Sequence, residues 1–206
     1  MTLFDYDREI RTRDGVALLC GVDEAGRGPL AGPVYAAAVI LPPDLEIEGL
    51  DDSKKLSEKK RETLFDQIQE KALAWCIADA SVGEIEAFNI LNAALLAMSR
   101  AVKGLSLTPS LVLVDGNKLP DTGLPMRAVI GGDRVSASIA AASILAKVAR
   151  DRQMLTLARE YPQYHFERHK GYGTKLHYQM LDEHGPCDAH RQSFLGKWRK
   201  SERDER

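Results

Sequence analysis

The stretch that most constrains this chain is Val16 to Pro33, which reads V-A-L-L-C-G-V-D-E-A-G-R-G-P-L-A-G-P. An apolar run ends at Gly21-Val22 and delivers two adjacent carboxylates, Asp23 and Glu24, followed by Gly26-Arg27-Gly28-Pro29. Neighbouring side chains on a regular strand point to opposite faces, so the strand must end or bulge there if both acids are to serve one site. The glycines permit that. Gly26 and Gly28 also let backbone N–H groups approach a ligand closely, with Arg27 between them as a cation for phosphate. Two acids and a glycine-flanked arginine suit a metal ion meeting a phosphodiester; the same residues also suit a strand running into a charged Gly-Pro turn.

Charge narrows the choice of partner. The formal net charge is −2, which excludes a generally basic nucleic-acid coat and leaves local basic clusters to make any such contact. Lys54, Lys55, Lys59, Lys60 and Arg61 form one cluster; Arg168, His169 and Lys170 form a second, beside Tyr164, Phe166 and Tyr172. Cations interleaved with rings are what a nucleic-acid groove needs, although the first run also reads as a solvated helix face. Cys20, Cys76 and Cys187 are odd in number and contain no C-x-x-C pair, which suits a reducing cytoplasm. The N-terminus lacks an apolar signal region, and the longest apolar run, Val34 to Leu41, is too short for a bilayer. A soluble cytoplasmic protein with no membrane partner is therefore expected.

Along the chain, residues 1–14 read as a short helix or arm outside the core. Val16–Val22 and Val34–Leu41 read as adjacent antiparallel strands, Trp75–Val82 as a third, Leu111–Val114 as a central strand covered on both faces, and Met126–Ile130 as a last one. A helix starts at the N-cap Ser57, with Leu64, Phe65, Ile68 and Leu73 on one face. Another runs from Gly83 to Arg100, with Ile85, Phe88, Leu91, Leu95 and Met98 as its buried stripe. Val135–Arg150 is a helix with a small-residue centre that continues to Glu160, where Tyr161-Pro162 stops it. Beyond it come a polar, aromatic and basic segment (Gln163–Thr174), a short helix (Lys175–Glu183), a loop, a packed turn at Phe194–Trp198, and a disordered end over residues 201–206. The expected organisation is a mixed α/β layered domain over residues 1–160 with a small helical element over residues 161–206.

Within that order the acids fall at strand ends. Asp115 follows Leu111–Val114, and Asp133 follows Met126–Ile130. With Asp23 and Glu24 they can converge on one sheet edge, where like charges repel unless cations sit among them. Hard oxygen ligands favour Mg²⁺ or Mn²⁺ over zinc, and two such ions can clamp an in-line displacement at phosphorus. Each acid also has a structural reading. Asp115 precedes a Gly-Asn turn, Asp133 can cap the helix beginning near Arg134, and Asp52 and Asp151 read as surface or capping residues. The histidines are scattered and read poorly as metal ligands.

The blocks D-E-A-G-R-G-P-L-A-G-P-V, D-S-K-K-L-S, L-V-D-G-N, G-D-x-x-S-x-S-I-A-A-A-S-I-L-A-K-V-x-R-D, H-K-G-Y-G-T and H-R-Q-S-F resemble bacterial ribonuclease HII, of the type 2 ribonuclease H family. The resemblance implies a ribonuclease H-like fold: a mixed five-stranded sheet flanked by helices, with a helical C-terminal part. It implies metal binding by Asp23, Glu24 and Asp115, with Asp133 as the fourth acid. Gly26, Arg27 and Gly28 would contact the 2′-OH and phosphates of a ribonucleotide, and Tyr172 would stack on the deoxyribose that follows; Lys54 is counted with the substrate-binding residues. The implied activity is metal-dependent endonucleolytic hydrolysis of RNA in RNA–DNA hybrids, including single ribonucleotides in duplex DNA, giving 5′-phosphate and 3′-hydroxyl ends. A monomer is implied. Gly131 stands where a lysine is common, so a helper cation is missing or comes from elsewhere; Glu86, where aspartate is common, reads as helix structure. A sister-type nuclease requiring longer RNA, and a hybrid-binding module that does not cut, are the alternatives.

Overall fold

The computed structural model describes residues 2–199; the expected disorder of residues 201–206 falls outside them. Five strands, β1 (Leu19–Ala25), β2 (Val34–Ile40), β3 (Ala74–Ala80), β4 (Leu111–Asp115) and β5 (Met126–Val129), form one mixed sheet in the order β3-β2-β1-β4-β5. The β1-β2 and β2-β3 pairs are antiparallel, whereas β1-β4 and β4-β5 are parallel. The α-helices that accompany it include α1 (Leu3–Asp14), α2 (Glu58–Lys71), α3 (Val82–Lys103), α4 (Ala137–Glu160), α5 (Phe166–His169) and α6 (Lys175–His184), and residues 196–199 are helical as well. One sheet face packs on α3 and the other on α4, with α2 outside α4.

Local chemistry sets the helix boundaries. The Ser57 hydroxyl accepts from the Lys60 N–H at the start of α2, and Leu64, Phe65 and Ile68 are buried as expected. Leu73 is not part of that face: α2 ends at Lys71, and Leu73 is 44 % exposed. Ser81 and Glu84 form a capping box at the start of α3. The expected α3 stripe is only partly right. Asn89 takes a non-helical conformation (φ 66°, ψ 164°) that breaks the periodicity, leaving Phe88 51 % exposed and Leu91 and Leu95 half-buried. Ile85, Ala93, Ala94, Ala97, Met98 and Ala101 make the contact instead. By length and composition α3 is the one helix among the described residues that could span a bilayer; here it covers β2 and β3.

The α4 face is closer. A Cβ on Gly21 would lie 2.1 Å from the Ser138 carbonyl carbon and 2.3 Å from the Ile139 nitrogen, so the helix backbone rests directly on β1. Alanines 140–142 against Ala37 continue this small-residue contact. The N-terminal helix is not outside the core, as the sequence suggested. Asp7 is buried and accepts from the Ser136 hydroxyl (2.6 Å), the Ser138 N–H (2.8 Å) and the Ser138 hydroxyl (2.7 Å), fixing the first turn of α4. Burial raises its pKa above the usual carboxylate range, against the pull of those bonds.

The C-terminal segments build a third cluster with Leu30, Ala31, Met154 and Leu157. Tyr164, Phe166 and His169, expected beside the second basic run as part of a groove, are buried in or against it. The histidines are also not scattered in space. His169 stacks on His177 with ring centroids 4.3 Å apart, and His177 Nε2 lies 3.0 Å from His190 Nε2. Burial pushes His177 and His190 down to about 4 from the ordinary 6.5.

Replacing Gly21 with Ala is expected to cost about 3 kcal/mol or more, because backbone cannot yield to the added methyl; thermal denaturation measures it, and a melting temperature within a degree of wild type would refute this contact. Between about pH 6.5 and 4 the unfolded chain binds protons on His177 and His190 that the folded chain does not, so the stability they confer is full above that window and lost as pH falls through it. The His177→Phe variant, lacking one of these titrations, should therefore lose less melting temperature than wild type between pH 7 and 4.

Candidate active site

Parallel pairing brings the acids together. Val22 pairs with Val114 and Asp115 with Val129, so the C-terminal ends of β1, β4 and β5 meet at one edge. Asp23 and Glu24 end the first of these strands, Asp115 the second, and Asp133 sits just beyond the third in a 3-10 turn, Gly132–Arg134. The cap of α4 is Ser136, which accepts from the Ile139 N–H, so Asp133 does not serve as one. The expected break in β1 is absent: its pairing with β2 is regular from Cys20 to Ala25. Asp23 therefore shares a face with Gly21, toward α4, and Glu24 shares one with Val22, toward α3. The two acids reach one edge from opposite faces.

The edge is charged and partly buried. Asp23 is 4 % exposed and Asp133 3 %. Burial, then the charges of Glu24 and Asp115, raise Asp23 well above the usual carboxylate range, against the Glu24 N–H and the Ser143 hydroxyl. Glu24 is raised by burial and by Asp115, with Arg27 opposing. Asp133 is raised by burial and by Asp52 and Asp115, with Lys54 opposing.

Each acid has a partner within the chain. Glu24 N–H donates to Asp23 Oδ1 at 2.7 Å, and Arg27 Nη1 reaches Glu24 Oε1 at 3.3 Å. Gly132 N–H donates to Asp115 Oδ1 at 2.6 Å, and Lys54 Nζ lies 3.4 Å from Asp133 Oδ2. In this arrangement no group of three or more His, Cys, Asp and Glu among the described residues is close enough to hold a metal ion. The donor set itself fits one. Four carboxylates gathered at one edge are hard oxygen ligands for a divalent cation, and no Cys or His stands among them.

A cation does stand at the edge, although Gly131 brings none. The Lys54 ammonium comes from a loop distant in sequence, held by Asp133 and facing Asp23 and Asp52; burial pulls its pKa down, and these carboxylates outweigh that and raise it. Asp52 is not a surface residue. It is buried, binds Arg134 at 3.3 Å and accepts from the Lys54 N–H at 2.9 Å, thereby shaping the Lys54 loop. Asp151 is buried too, paired with Lys147 at 2.6 Å. Of the first basic run, Arg61 is spent on the Ser53 and Leu56 carbonyls rather than on a solvated face.

A cleft of about 200 Å³ opens beside the acids, lined by Glu24, Ala25, Gly26, Arg27, Ser53, Lys54, Ser143, Lys147 and Tyr172. Tyr172 is 44 % exposed, and a Cβ on Gly28 would lie 3.8 Å from its ring, so these two sit side by side. Across Glu24 and Arg27, toward α3, a second cavity of about 240 Å³ is bounded by Leu95, Met98, Asp115 and Lys118. The sequence reading missed Ser143 and Lys147. The signal was there: polar residues at 143, 147 and 150 in an alanine-rich helix fall on one face.

A family model described as ribonuclease HII matches residues 20–197. A ribonuclease HII from Idiomarina loihiensis is 60 % identical over 177 residues, which cover 86 % of this chain and 95 % of that protein. One from Burkholderia thailandensis is 58 % identical over 177 residues, covering 86 % of this chain and 83 % of its own. Among solved structures, ribonuclease H2 from Pyrococcus horikoshii aligns with a TM-score of 0.74 at 25 % identity over 91 % of this chain and 98 % of that one. The ribonuclease HII of Archaeoglobus fulgidus, solved in complex with PCNA, gives 0.71 at 26 % identity over 85 % and 94 %. A ribonuclease HIII solved with Mn²⁺ shares the fold, with a TM-score of 0.66 at 16 % identity over 92 % of this chain and 71 % of that one. With the sheet order, the acidic edge and these relatives in agreement, the chain belongs to the ribonuclease HII family.

Proposed function

We propose that this chain, an endoribonuclease acting on the RNA strand of RNA–DNA hybrids, also incises duplex DNA at single embedded ribonucleotides, leaving 5′-phosphate and 3′-hydroxyl ends. The observation that carries the reading is the sharing of one cleft by an acidic residue of the edge, Glu24, with Gly26, Arg27, Lys54 and Tyr172. Asp23, Glu24, Asp115 and Asp133 would hold two Mg²⁺ or Mn²⁺ ions, which when bound supply an activated water and stabilise the leaving oxygen. Arg27 and Lys54 draw a phosphodiester into the cleft, the guanidinium offering a planar fork and the ammonium a point charge. Glycines at 26 and 28 leave backbone N–H groups open to the 2′-OH, the group that distinguishes RNA from DNA. Tyr172 beside Gly28 stacks on the sugar that follows. Residues 1–160 thus carry the acids, and residues 161–206 supply the stacking ring. The cytoplasm suits three free cysteines.

The direct test is a DNA duplex containing one ribonucleotide, incubated with Mg²⁺, with Mn²⁺ and with EDTA. Metal-dependent incision 5′ to the ribonucleotide is expected; an intact duplex alongside a cut long hybrid would remove the embedded-ribonucleotide reading. Asp115→Asn should abolish turnover and the thermal stabilisation given by added Mn²⁺ while hybrid binding persists, and retained turnover would exclude the acids as the metal site. Tyr172→Ala should lower kcat/KM at the junction by roughly tenfold or more, from ~1–3 kcal/mol of lost stacking; an unchanged junction rate would assign the ring another role.

A further inference from the structure

Two adjacent residues late in the chain, His190 and Arg191, are buried and reach the two loops that line the cleft. Arg191 Nε donates to the Gly32 carbonyl (2.8 Å), Nη1 to those of Arg27 (3.0 Å) and Pro29 (2.9 Å), and Nη2 to those of Gly26 (2.7 Å) and Pro33 (3.3 Å). A guanidinium has five N–H donors, and each here meets a carbonyl of the same loop. The backbone joins in: Gly32 N–H donates to the Ala189 carbonyl and Arg191 N–H to that of Leu30, both at 2.8 Å.

His190 works on the other loop. Its Nδ1 accepts from the Cys187 N–H at 3.0 Å; an amide can only donate, so the His190 proton resides on Nε2. That Nε2–H faces His177 Nε2 at 3.0 Å, which places the His177 proton on Nδ1, and Nδ1–H donates to the Tyr172 carbonyl at 3.0 Å. The backbone at both ends dictates the tautomer of each ring. His177 is wedged between His169, stacked at 4.3 Å, and Phe166, edge-on at 5.6 Å, so it cannot swing out of the chain of bonds.

We propose that His190 and Arg191 form a positioning clamp for substrate specificity, in which Arg191 sets the backbone of Gly26–Pro33 and His190, acting through His177, sets that of Tyr172, an assignment that rests on the reading of these two loops given above. The clamp holds the groups that find the 2′-OH and the ring that stacks on the next sugar in one register. Neither residue touches substrate. A buried guanidinium is a costly way to stabilise a loop that apolar side chains could pack against, and its return is geometric: only that fork spans five carbonyls at once. Arg150, also fully buried, ties the same two loops by donating from Nη2 to the Ala31 (3.4 Å) and Lys170 (3.0 Å) carbonyls. A single embedded ribonucleotide offers one 2′-OH and one junction, whereas a long hybrid offers a 2′-OH at every step, so a misplaced loop penalises the first substrate more.

The test compares wild type with Arg191→Lys and His177→Phe on both substrates, alongside hydrogen exchange of peptides spanning residues 26–33 and 170–174. Both variants should melt cooperatively. Each should lower the ratio of kcat/KM for the single-ribonucleotide duplex over the long hybrid by roughly 10- to 100-fold, mainly through kcat, as expected of a misplaced reacting group. Exchange should quicken in residues 26–33 for Arg191→Lys and in residues 170–174 for His177→Phe. An unchanged ratio, or equal losses on both substrates, would overturn the clamp. Should wild type itself cut only the long hybrid, the embedded-ribonucleotide reading fails independently, and exchange decides: loops loosened one by one keep the clamp, and unmoved loops reject it.

Discussion

Everything at the acidic edge depends on the parallel pairing of β1 with β4 and of β4 with β5. Parallel neighbours present the same end to the same edge, so acids that terminate these strands must meet. β2, antiparallel to β1, begins at that edge with Val34 and Tyr35 and adds no charge. The convergence is unfavourable in itself: burial first, and the neighbouring carboxylates after it, raise Asp23, Glu24 and Asp133 above the usual carboxylate range. What the chain sets against it is modest. Lys54 stands at Asp133 with its side chain 73 % exposed, and an ion pair so hydrated is weak and replaceable.

The second support is the seating of α4. Because its backbone touches Gly21 with no side chain between them, helix and strand have one workable separation. Asp7 then fixes the helix start through Ser136 and Ser138, directly after the turn that carries Asp133. From the same helix, Ser143 and Lys147 line the cleft, and Arg150 lies beneath Gly26. One rigid rod therefore places the wall of the cleft relative to its acids.

Much of this was legible in the sequence, for a physical reason: strand ends and helix caps are local. The apolar runs gave the five strands within a few residues, Ser57 gave the start of α2, and the positions of Asp23, Glu24, Asp115 and Asp133 at strand ends picked out the edge. Periodicity carries no information about contacts across the chain, and there the reading failed. It placed the N-terminal helix outside the core because Asp7 looks solvent-seeking until Ser136 and Ser138 fold onto it. It put Tyr164, Phe166 and His169 in a groove because rings beside cations look the same in sequence whether they face nucleic acid or pack on Met154. It assumed a helix stripe that Asn89 interrupts, and it took Asp52 for a surface residue although Arg134 and the Lys54 loop enclose it. The family resemblance supplied what spacing could not, the mixed five-stranded sheet and the stacking role expected of Tyr172.

Arg191 has a consequence for how the molecule is made. The carbonyls it gathers belong to residues 158 to 165 positions earlier in the chain. During translation the strands and α4 can assemble while Gly26–Pro33 still lacks the guanidinium around which it is arranged. A nascent chain of this kind has its acidic edge in place before the loop at Gly26–Pro33 gains the guanidinium at its centre.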